Sequence, residues 1–438
     1  VTLAHRALAQ GWHVHVLAPA ASAQAFALLR GHPGLGTLAG SDDPRRAGRL
    51  LRLLSQAPQP VTTLVVIDGL ERLRDALADG PRDLLADGLA CGFFQVAASA
   101  DGPALSGLAP RFGPRLVLLS SDPSADIMLG APQGFAGRGH CPGRAVWCGD
   151  GAAVECQVAM PPLSPPPPLL PPSLPVTSQP LTARHGRVHA PPGESTLVHA
   201  PLRILPLPRH VVSTDLPPSL PLPQHPGLPK QPGLVMLGVG GDDARPVGLD
   251  VSQGALVAGS RASGRSGTLR VILAGLAAAD PSGLYLVTRD KGLQADAGQL
   301  GVPVAPPTGR GCGDLLAWLA DSQQVAPARP LVIVDDVDVL AQGCPLEVDR
   351  LGDLAADGSL TVIASATSLS ASMGHRGLVG HLRSLRCGVI TDPAERGADD
   401  VFGTCLDDAV DLWCRIPGRA AIIDDTVVLP AQIFQVGA

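Results

Sequence analysis

Short apolar runs alternate with helical patterns through most of the chain. In the C-terminal half these runs include ALVAG, LYLVT, LVIVDD, TVIASA and CGVIT. Runs that are apolar on both faces and separated by helices are typical of a parallel sheet with helices on each side. The last two runs, GRAAII and TVVLPAQIF, predict a hairpin that closes the sheet at an edge. The pattern therefore predicts an α/β fold with mainly parallel sheets.

A proline-rich stretch divides the chain. Residues 159–234 contain MPPLSPPPPLLPPSLP and LPPSLPLPQHPGLP, and this proline density excludes helix and central strand. We predict a polyproline-like linker in which only RHGRVHA (184–190) and TLVHAPLRILPLP (196–208) form short strands. The flanking blocks, 1–158 and 235–438, are then predicted to be two α/β domains.

The two blocks resemble each other in sequence. TLVVIDGLERL at 63–73 matches PLVIVDDVDVL at 330–340, and further matches follow in the same order at nearly constant spacing. The aligned pairs are Asp68 with Asp335, Ser99 with Ser365, and Gly143 with Gly418. This regularity predicts a tandem duplication. The same offset assigns the counterpart of 259–266 to residues before Val1, so the first block either has lost that loop or its sequence begins after it.

The stretch from Ala255 to Ala279 has the strand, glycine-rich turn and helix that a phosphate-binding loop needs. The spacing G-x-x-x-x-G-R-S begins at Gly259 and ends at Ser266. In such a loop, backbone N–H groups and the helix N-terminus surround an anion. The alternative is a glycine turn without function. The predicted nucleotide-binding residues are Gly259, Ser260, Arg261, Ala262, Ser263, Gly264, Arg265, Ser266 and Gly267.

Two acidic residues follow the apolar run LVIV. In a phosphate loop the hydroxyl of Ser266 would ligate Mg²⁺ and residue 265 would reach the β- and γ-phosphates. Asp335 would hold the same Mg²⁺ through water, and Asp336 sits where such enzymes usually have a glutamate that polarises the attacking water. Ser266 and Asp335 are thus the predicted metal site, and Arg265 and Asp336 the predicted catalytic pair. The alternative is two solvated carboxylates at the end of a buried strand.

Arginine at position 265 replaces the usual lysine. A guanidinium is a wide planar fork, whereas the lysine ammonium is a compact charge on a thin stem. Asp336 is also one methylene shorter than glutamate. We therefore predict that ATP·Mg²⁺ is bound but hydrolysed slowly or not at all. In the first block Asp68 is followed by Gly69, so the second acidic residue is absent, although Glu71 lies one turn on.

Composition narrows the class of protein. The chain has 438 residues and a net charge of −6, which disfavours binding of nucleic acid over the whole surface but leaves room for a local basic groove. The nine cysteines include no CxxC pair or zinc spacing, which favours free thiols in a reducing cytosol. No uncharged apolar run reaches the roughly 18 residues that a transmembrane helix requires.

The stretches 247–276 and 330–340, with the terminal PGRA…QIFQV, resemble the FtsK/SpoIIIE group of P-loop motors. The tandem arrangement resembles its actinobacterial branch, which includes EccC-type ATPases of type VII secretion and FtsK-like proteins with forkhead-associated domains. The resemblance implies two tandem RecA-like P-loop NTPase domains: a degenerate one at 1–158, which lacks its first strand and loop, and a second one at 235–438. It also implies ATP and Mg²⁺ as cofactors, a homo-oligomeric ring or a membrane secretion complex, and a cytoplasmic location, at the membrane face through parts that precede Val1.

Two functions remain open at this stage. One is an ATP-hydrolysing translocase of DNA or of a secreted protein, and the acidic balance weakly favours protein. The other is a non-hydrolysing regulatory or scaffolding module of a secretion-like complex. Arg265 and Asp336 favour the second function, whereas Gly259, Ser266 and Asp335 favour retained nucleotide binding.

Overall fold

The computed structural model divides the chain into two compact units, Val1–Ile204 and Leu205–Ala438. The boundary falls inside the predicted linker. The residues that the structure describes are 1–40, 43–77, 83–100, 111–149, 151–160, 200–211, 233–325, 329–407, 409 and 416–435.

The first unit is built from seven strands and six helices in its described part. The strands are β1 (His13–Leu17), β2 (Leu35–Ala39), β3 (Thr63–Ile67), β4 (Gln95–Ala98), β5 (Arg115–Leu118), β6 (Arg144–Gly149) and β7 (Ala152–Gln157). The helices are α1 (Thr2–Ala9), α2 (Ala20–Ala23), α3 (Pro44–Gln56), α4 (Leu70–Leu77), α5 (Leu84–Cys91) and α6 (Pro123–Met128), with a 3-10 turn at Gln24–Leu29. A parallel sheet has the order β2-β1-β3-β4, and β5-β6-β7 form a separate antiparallel sheet.

The second unit contains ten strands and eight helices among its described residues. The strands are β8 (Leu234–Gly240), β9 (Arg245–Asp250), β10 (Ala255–Ala258), β11 (Leu284–Val287), β12 (Val304–Ala305), β13 (Leu331–Val334), β14 (Thr361–Ala366), β15 (Cys387–Ile390), β16 (Arg419–Asp424) and β17 (Val427–Ile433). The helices are α7 (Arg265–Ala279), α8 (Lys291–Gln299), α9 (Gly309–Val325), α10 (Val337–Gly343), α11 (Pro345–Ala356), α12 (Ser368–Met373), α13 (Gly377–Ser384) and α14 (Asp399–Phe402).

The ten strands form one sheet with β10 near its middle. Its order is β12-β11-β13-β14-β10-β15-β16-β17-β8-β9, parallel as far as β15 and antiparallel beyond it. Buried apolar clusters cover both faces; α7 and α8 contribute to one, and α9 to α13 to the other. The predicted α/β fold with mainly parallel sheets is confirmed.

The predicted position of the terminal hairpin is wrong. β16 and β17 do pair as a hairpin, but β17 also pairs with β8, so β9 and β12 form the edges of the sheet. The hairpin of β8 and β9 was not predicted, because its segment follows the proline-rich stretch directly. It extends the sheet because β8 pairs antiparallel with β17, with Ala431 opposite Gly240 and Ile433 opposite Gly238.

The two units share their strand order. The order β2-β1-β3-β4 corresponds to β12-β11-β13-β14, and β5-β6-β7 corresponds to β15-β16-β17. In the second unit β10 joins the two halves, and the described residues of the first unit contain no counterpart of it. Equivalent side chains make equivalent bonds: Gln157 donates to the Pro142 carbonyl at 2.7 Å, and Gln432 to that of Pro417 at 2.7 Å. These matches support the predicted duplication.

Residues 200–211 form no strand, so the predicted strand at 196–208 is wrong for the part that the structure describes. Residues 184–190 and 196–199 lie outside the described residues. As far as Ile204, however, the backbone of this segment is hydrogen-bonded by side chains of the first unit. The Ile204 N–H donates to the Thr37 hydroxyl at 3.0 Å, and Arg46 Nε donates to the Ile204 carbonyl at 2.9 Å. Proline at 201, 206 and 208 lacks the N–H that a sheet ladder needs, which explains why this segment does not join one.

Candidate nucleotide-binding site

The glycine-rich turn follows the central strand β10 and leads into α7. At Gly259 an added Cβ would collide with Thr391 Oγ1 and Ser263 Oγ, so a larger residue would have to displace both side chains. Gly264 has φ +102° and precedes the first helical residue. Ala262 is also left-handed, at φ 61°, a conformation that L-residues other than glycine seldom adopt. The loop thus has a specific, partly strained shape of the kind found at functional sites.

The start of α7 offers backbone donors to an anion. The first-turn N–H groups of Arg265, Ser266 and Gly267 have no carbonyl four residues earlier within the helix. An added Cβ at Gly267 meets no atom within 4 Å, so the space above this turn is open. Ser263 Oγ donates to the Ser260 carbonyl at 2.8 Å and thereby fixes the loop. Such an arrangement of backbone donors is of the kind that binds a phosphate group.

Ser266 lies in the first turn of α7, and Asp335 follows directly after β13. A shared Mg²⁺ would require their side chains to lie close together. Ser266 Oγ lies 3.3 Å from both carboxylate oxygens of Asp335, although the residues are 69 positions apart. The Asp335 carboxylate also accepts from Ser365 Oγ at 2.8 Å and Thr288 Oγ1 at 3.0 Å. These hydroxyls hold the carboxylate against α7, where a hydroxyl and a carboxylate could share one Mg²⁺ with phosphate and water oxygens.

Burial dominates the electrostatics of Asp335. The residue is 4% exposed, and this burial raises the pKa of its carboxyl; the charge of Asp336 raises it further. Hydrogen bonds from Ser365, Thr288 and Ser266 act in the opposite direction on the pKa. Burial thus disfavours the ionised form of the carboxyl group, and a cation bound beside it would stabilise that form.

The two predicted catalytic residues are paired with each other. Arg265 Nη2 lies 3.0 Å from Asp336 Oδ1, and their side chains are only 10% and 25% exposed. Arg289 Nη2 approaches the other Asp336 oxygen at 3.5 Å from a more exposed position. The second terminal nitrogen of Arg265, Nη1, is buried and has no hydrogen-bond partner among the described residues. The guanidinium therefore has one terminal nitrogen paired with Asp336 and one buried without a partner among the described residues.

Asp336 itself has an unusual backbone. Its φ of 54° and ψ of 58° lie in the left-handed region, and its N–H donates to Ser365 Oγ at 2.8 Å. At the repeat-equivalent position of the first unit, Gly69 has φ +75° and donates to Ser99 Oγ at 3.0 Å. An aspartate therefore stands where the backbone favours glycine, which costs on the order of 1 kcal/mol.

Among its described residues, the first unit contains a counterpart of Asp335 but no counterpart of the loop at 259–266. Asp68 Oδ1 accepts from Ser99 Oγ at 2.7 Å, which reproduces the bond between Asp335 and Ser365. A hydrogen bond from Ser22 is the main cause that lowers the pKa of Asp68, and the bond from Ser99 adds to it. Asp68 therefore has the partners of an ordinary ionised, half-buried aspartate.

A second side of the loop faces β15. Ser260 Oγ donates to Asp392 Oδ2 at 2.7 Å, and Ser263 Oγ lies 2.5 Å from Thr391 Oγ1. The sequence analysis missed four residues that reach the site only in the folded sheet: Asp392 and Thr391, which contact the loop, and Thr288 and Arg289, which contact Asp335 and Asp336. Ser365 was the exception, since its match to Ser99 in the repeat marked the position without showing its role.

Among the described residues there is no group of three or more His, Cys, Asp or Glu side chains that could hold a metal ion. Ser266 and Asp335 would need phosphate and water oxygens to complete a magnesium shell.

Among the described residues, no helix is both long and apolar enough to span a membrane.

The chain thus consists of two α/β units, and the second carries a glycine-rich loop between its central strand and a helix. The chain is similar to the structure of EssC (ATPases 2 and 3) from Geobacillus thermodenitrificans, with 14% identity, a TM-score of 0.52, and coverage of 100% of this chain and 88% of that one. It is similar to Thermomonospora curvata EccC (ATPases 2 and 3) in complex with a signal sequence peptide, with 14% identity, a TM-score of 0.54, and coverage of 100% and 85%. No protein-family model matches the chain, and no curated protein matches it. The predicted resemblance is confirmed at the level of the fold.

Proposed function

We propose that the second unit binds ATP·Mg²⁺ at residues 259–267 and, by itself, hydrolyses it slowly or not at all. The observation that carries the binding is the approach of Ser266 Oγ to both Asp335 oxygens at 3.3 Å, directly below the open turn. Backbone N–H groups of the loop and of Gly267 would hold the phosphates. A bound Mg²⁺ would supply positive charge to the β- and γ-phosphate oxygens.

The pair of Arg265 and Asp336 supports slow turnover. Hydrolysis needs positive charge on the γ-phosphoryl oxygens and an oriented water. In this chain the guanidinium that would supply the charge and the carboxylate that would orient the water are 3.0 Å apart and engage each other. Each group must leave its partner before it acts on substrate, so the contact costs rate more than it costs backbone-mediated binding.

We further propose that the chain works in a secretion-type translocation assembly at the cytoplasmic side of a membrane, as part of a ring or a larger complex. A protein substrate is favoured over DNA. The net charge of −6 supports this choice, and the similar EccC structure contains a signal sequence peptide. The second candidate function is a non-hydrolysing regulatory module of the same kind of complex, which the engaged Arg265 favours.

Binding and hydrolysis of ATP by the whole chain test the proposal. We expect calorimetric binding of ATP in the presence of Mg²⁺, weakened at least about tenfold by Ser266→Ala or Gly259→Ala. We expect turnover below the roughly 1–100 s⁻¹ that is typical of kinases. Gly283→Ala is the matched control, since an added Cβ there meets no atom within 4 Å and lies outside the loop.

Either of two results would contradict the proposal. If millimolar ATP does not bind, the loop is purely structural. If the unaltered chain hydrolyses ATP at ordinary rates, the engaged pair of Arg265 and Asp336 does not limit turnover.

A further inference from the structure

Asp336 has an arginine beside each of its two carboxylate oxygens. Arg265 Nη2 lies 3.0 Å from Oδ1, and Arg289 Nη2 lies 3.5 Å from Oδ2. The two arginines differ in burial, because the side chain of Arg265 is 10% exposed and that of Arg289 is 56% exposed. Only Arg265 belongs to the phosphate loop. It is therefore the partner that would leave Asp336 when a phosphate binds, while Arg289 can stay.

The local backbone holds Arg289 beside Asp336. Strand β11, which ends just before this segment, pairs in parallel with β13. On one side of Arg289, the Thr288 hydroxyl donates to Asp335 Oδ2 at 3.0 Å. On the other side, Asp290 caps the start of α8 with its side chain. Because both neighbours are fixed, the Arg289 side chain starts from the end of the sheet at which Asp336 lies.

The position of Asp336 is restrained as well. Its N–H donates to Ser365 Oγ at 2.8 Å, and its backbone is left-handed at φ 54°. When Arg265 turns toward a phosphate, the Asp336 carboxylate therefore remains next to the phosphate loop. A bare negative charge at this position would repel the phosphate, since like charges a few ångströms apart oppose each other.

We propose that Arg289 is a positioning residue that retains and neutralises Asp336 when Arg265 moves to the nucleotide. In the nucleotide-free chain both arginines share the carboxylate, so Arg289 contributes little. In the nucleotide-bound chain Arg289 keeps its contact and compensates the charge that Arg265 has left. Arg289 thus stabilises the bound state more than the free state and raises the affinity for ATP through Asp336. The inference rests on the proposed nucleotide binding of the second unit.

Calorimetric titration of the whole chain with ATP at fixed Mg²⁺ tests this role. We expect Arg289→Gln to weaken binding about fivefold, which corresponds to about 1 kcal/mol, the upper end for an ion pair with an exposed partner. Arg289→Lys keeps the positive charge, so it should restore binding to within about twofold of the unaltered chain.

Lys291→Gln is the matched control for the loss of one positive charge. Lys291 is exposed and lies two positions further along, and no ion pair joins it to Asp336 in the part of the chain that the structure describes. A charge outside direct contact is largely screened at about 0.15 M salt, so this variant should bind ATP within about twofold of the unaltered chain.

The same substitution in a chain that carries Asp336→Asn separates two ways in which Arg289 could act. If Arg289 acts through the carboxylate, Arg289→Gln should change the affinity of the Asp336→Asn chain by less than about twofold, because the contact that it removes is no longer an ion pair. An arginine that bound the phosphate directly would weaken binding equally in both backgrounds.

The possible failures can be told apart. If Arg289→Gln binds ATP as tightly as Lys291→Gln does, or if Arg289→Lys does not restore binding, the inference is wrong while the proposed nucleotide binding stands. If the fivefold loss persists beside Asp336→Asn, Arg289 contacts the nucleotide itself and the inference is also wrong. If the unaltered chain binds no ATP, both proposals fail together. Restored binding in Arg289→Lys excludes misfolding as the cause of the loss in Arg289→Gln.

Discussion

Neutralising Asp336 should tighten the binding of ATP. Arg265 must leave Asp336 to reach a phosphate, and the contact that it gives up is an ion pair of 3.0 Å between side chains that are 10% and 25% exposed. Exposed pairs contribute roughly 0.2–1 kcal/mol, and breaking buried ones costs roughly 3–5 kcal/mol. An intermediate burial gives about 1–2 kcal/mol. Asp336→Asn removes this cost and also removes a negative charge near the γ-phosphate.

The expected result is an affinity for ATP·Mg²⁺ about tenfold higher than that of the unaltered chain, since 1.4 kcal/mol corresponds to a factor of ten. Asparagine tolerates the left-handed backbone of position 336 as well as aspartate does, so the fold should be unaffected. Titration calorimetry at fixed Mg²⁺ and about 0.15 M salt measures the change.

Asp338→Asn is the matched control for this experiment. Asp338 lies two positions further along and accepts from Thr367 Oγ1 at 2.9 Å, and no contact joins it to Arg265 among the described residues. Its variant should bind ATP as the unaltered chain does. Equal or weaker binding by Asp336→Asn would refute the reasoning, because it would mean that the ion pair does not compete with phosphate.

Two further predictions concern stability. His15 is buried, Thr37 N–H donates to its Nδ1 at 3.0 Å, and burial, with a contribution from the charge of His13, lowers its pKa to about 3. Below pH about 6.5 the unfolded chain binds a proton at His15 that the folded chain does not bind. The free energy of unfolding should therefore decrease as the pH is lowered, by about 2 kcal/mol between pH 7 and pH 5. His15→Asn should abolish that part of the pH dependence in urea unfolding. Ser365→Ala should cost about 2 kcal/mol, because it removes the shortest hydrogen bond to the buried Asp335 carboxylate and the acceptor of the Asp336 N–H. The exposed equivalent Ser99→Ala should cost less than about 1 kcal/mol, and equal losses in thermal unfolding would contradict this.

The sequence predicted those parts of the fold that depend on short stretches of chain. The apolar run ALVAG became β10, RSGTLRVILAGLAAA became α7, and LVIVDD became β13 followed by the two aspartates. These elements were readable because hydrophobic periodicity and glycine spacing act over a few residues. The hairpin of β8 and β9 was missed and β16–β17 was misplaced at an edge, because the partner of a strand depends on chain that can be far away in sequence.

For the site, the sequence by itself determined which residues can do chemistry: a glycine loop, a hydroxyl at 266 and the carboxylates at 335 and 336. Only the tertiary structure decided what those groups contact. It paired Arg265 with Asp336, brought the Ser365 hydroxyl onto Asp335, and set Asp392 against Ser260 across 132 residues of chain. The physical reason is that hydrogen bonds and ion pairs need contact within about 3 Å, and adjacent strands bring together side chains whose separation along the chain carries no such signal.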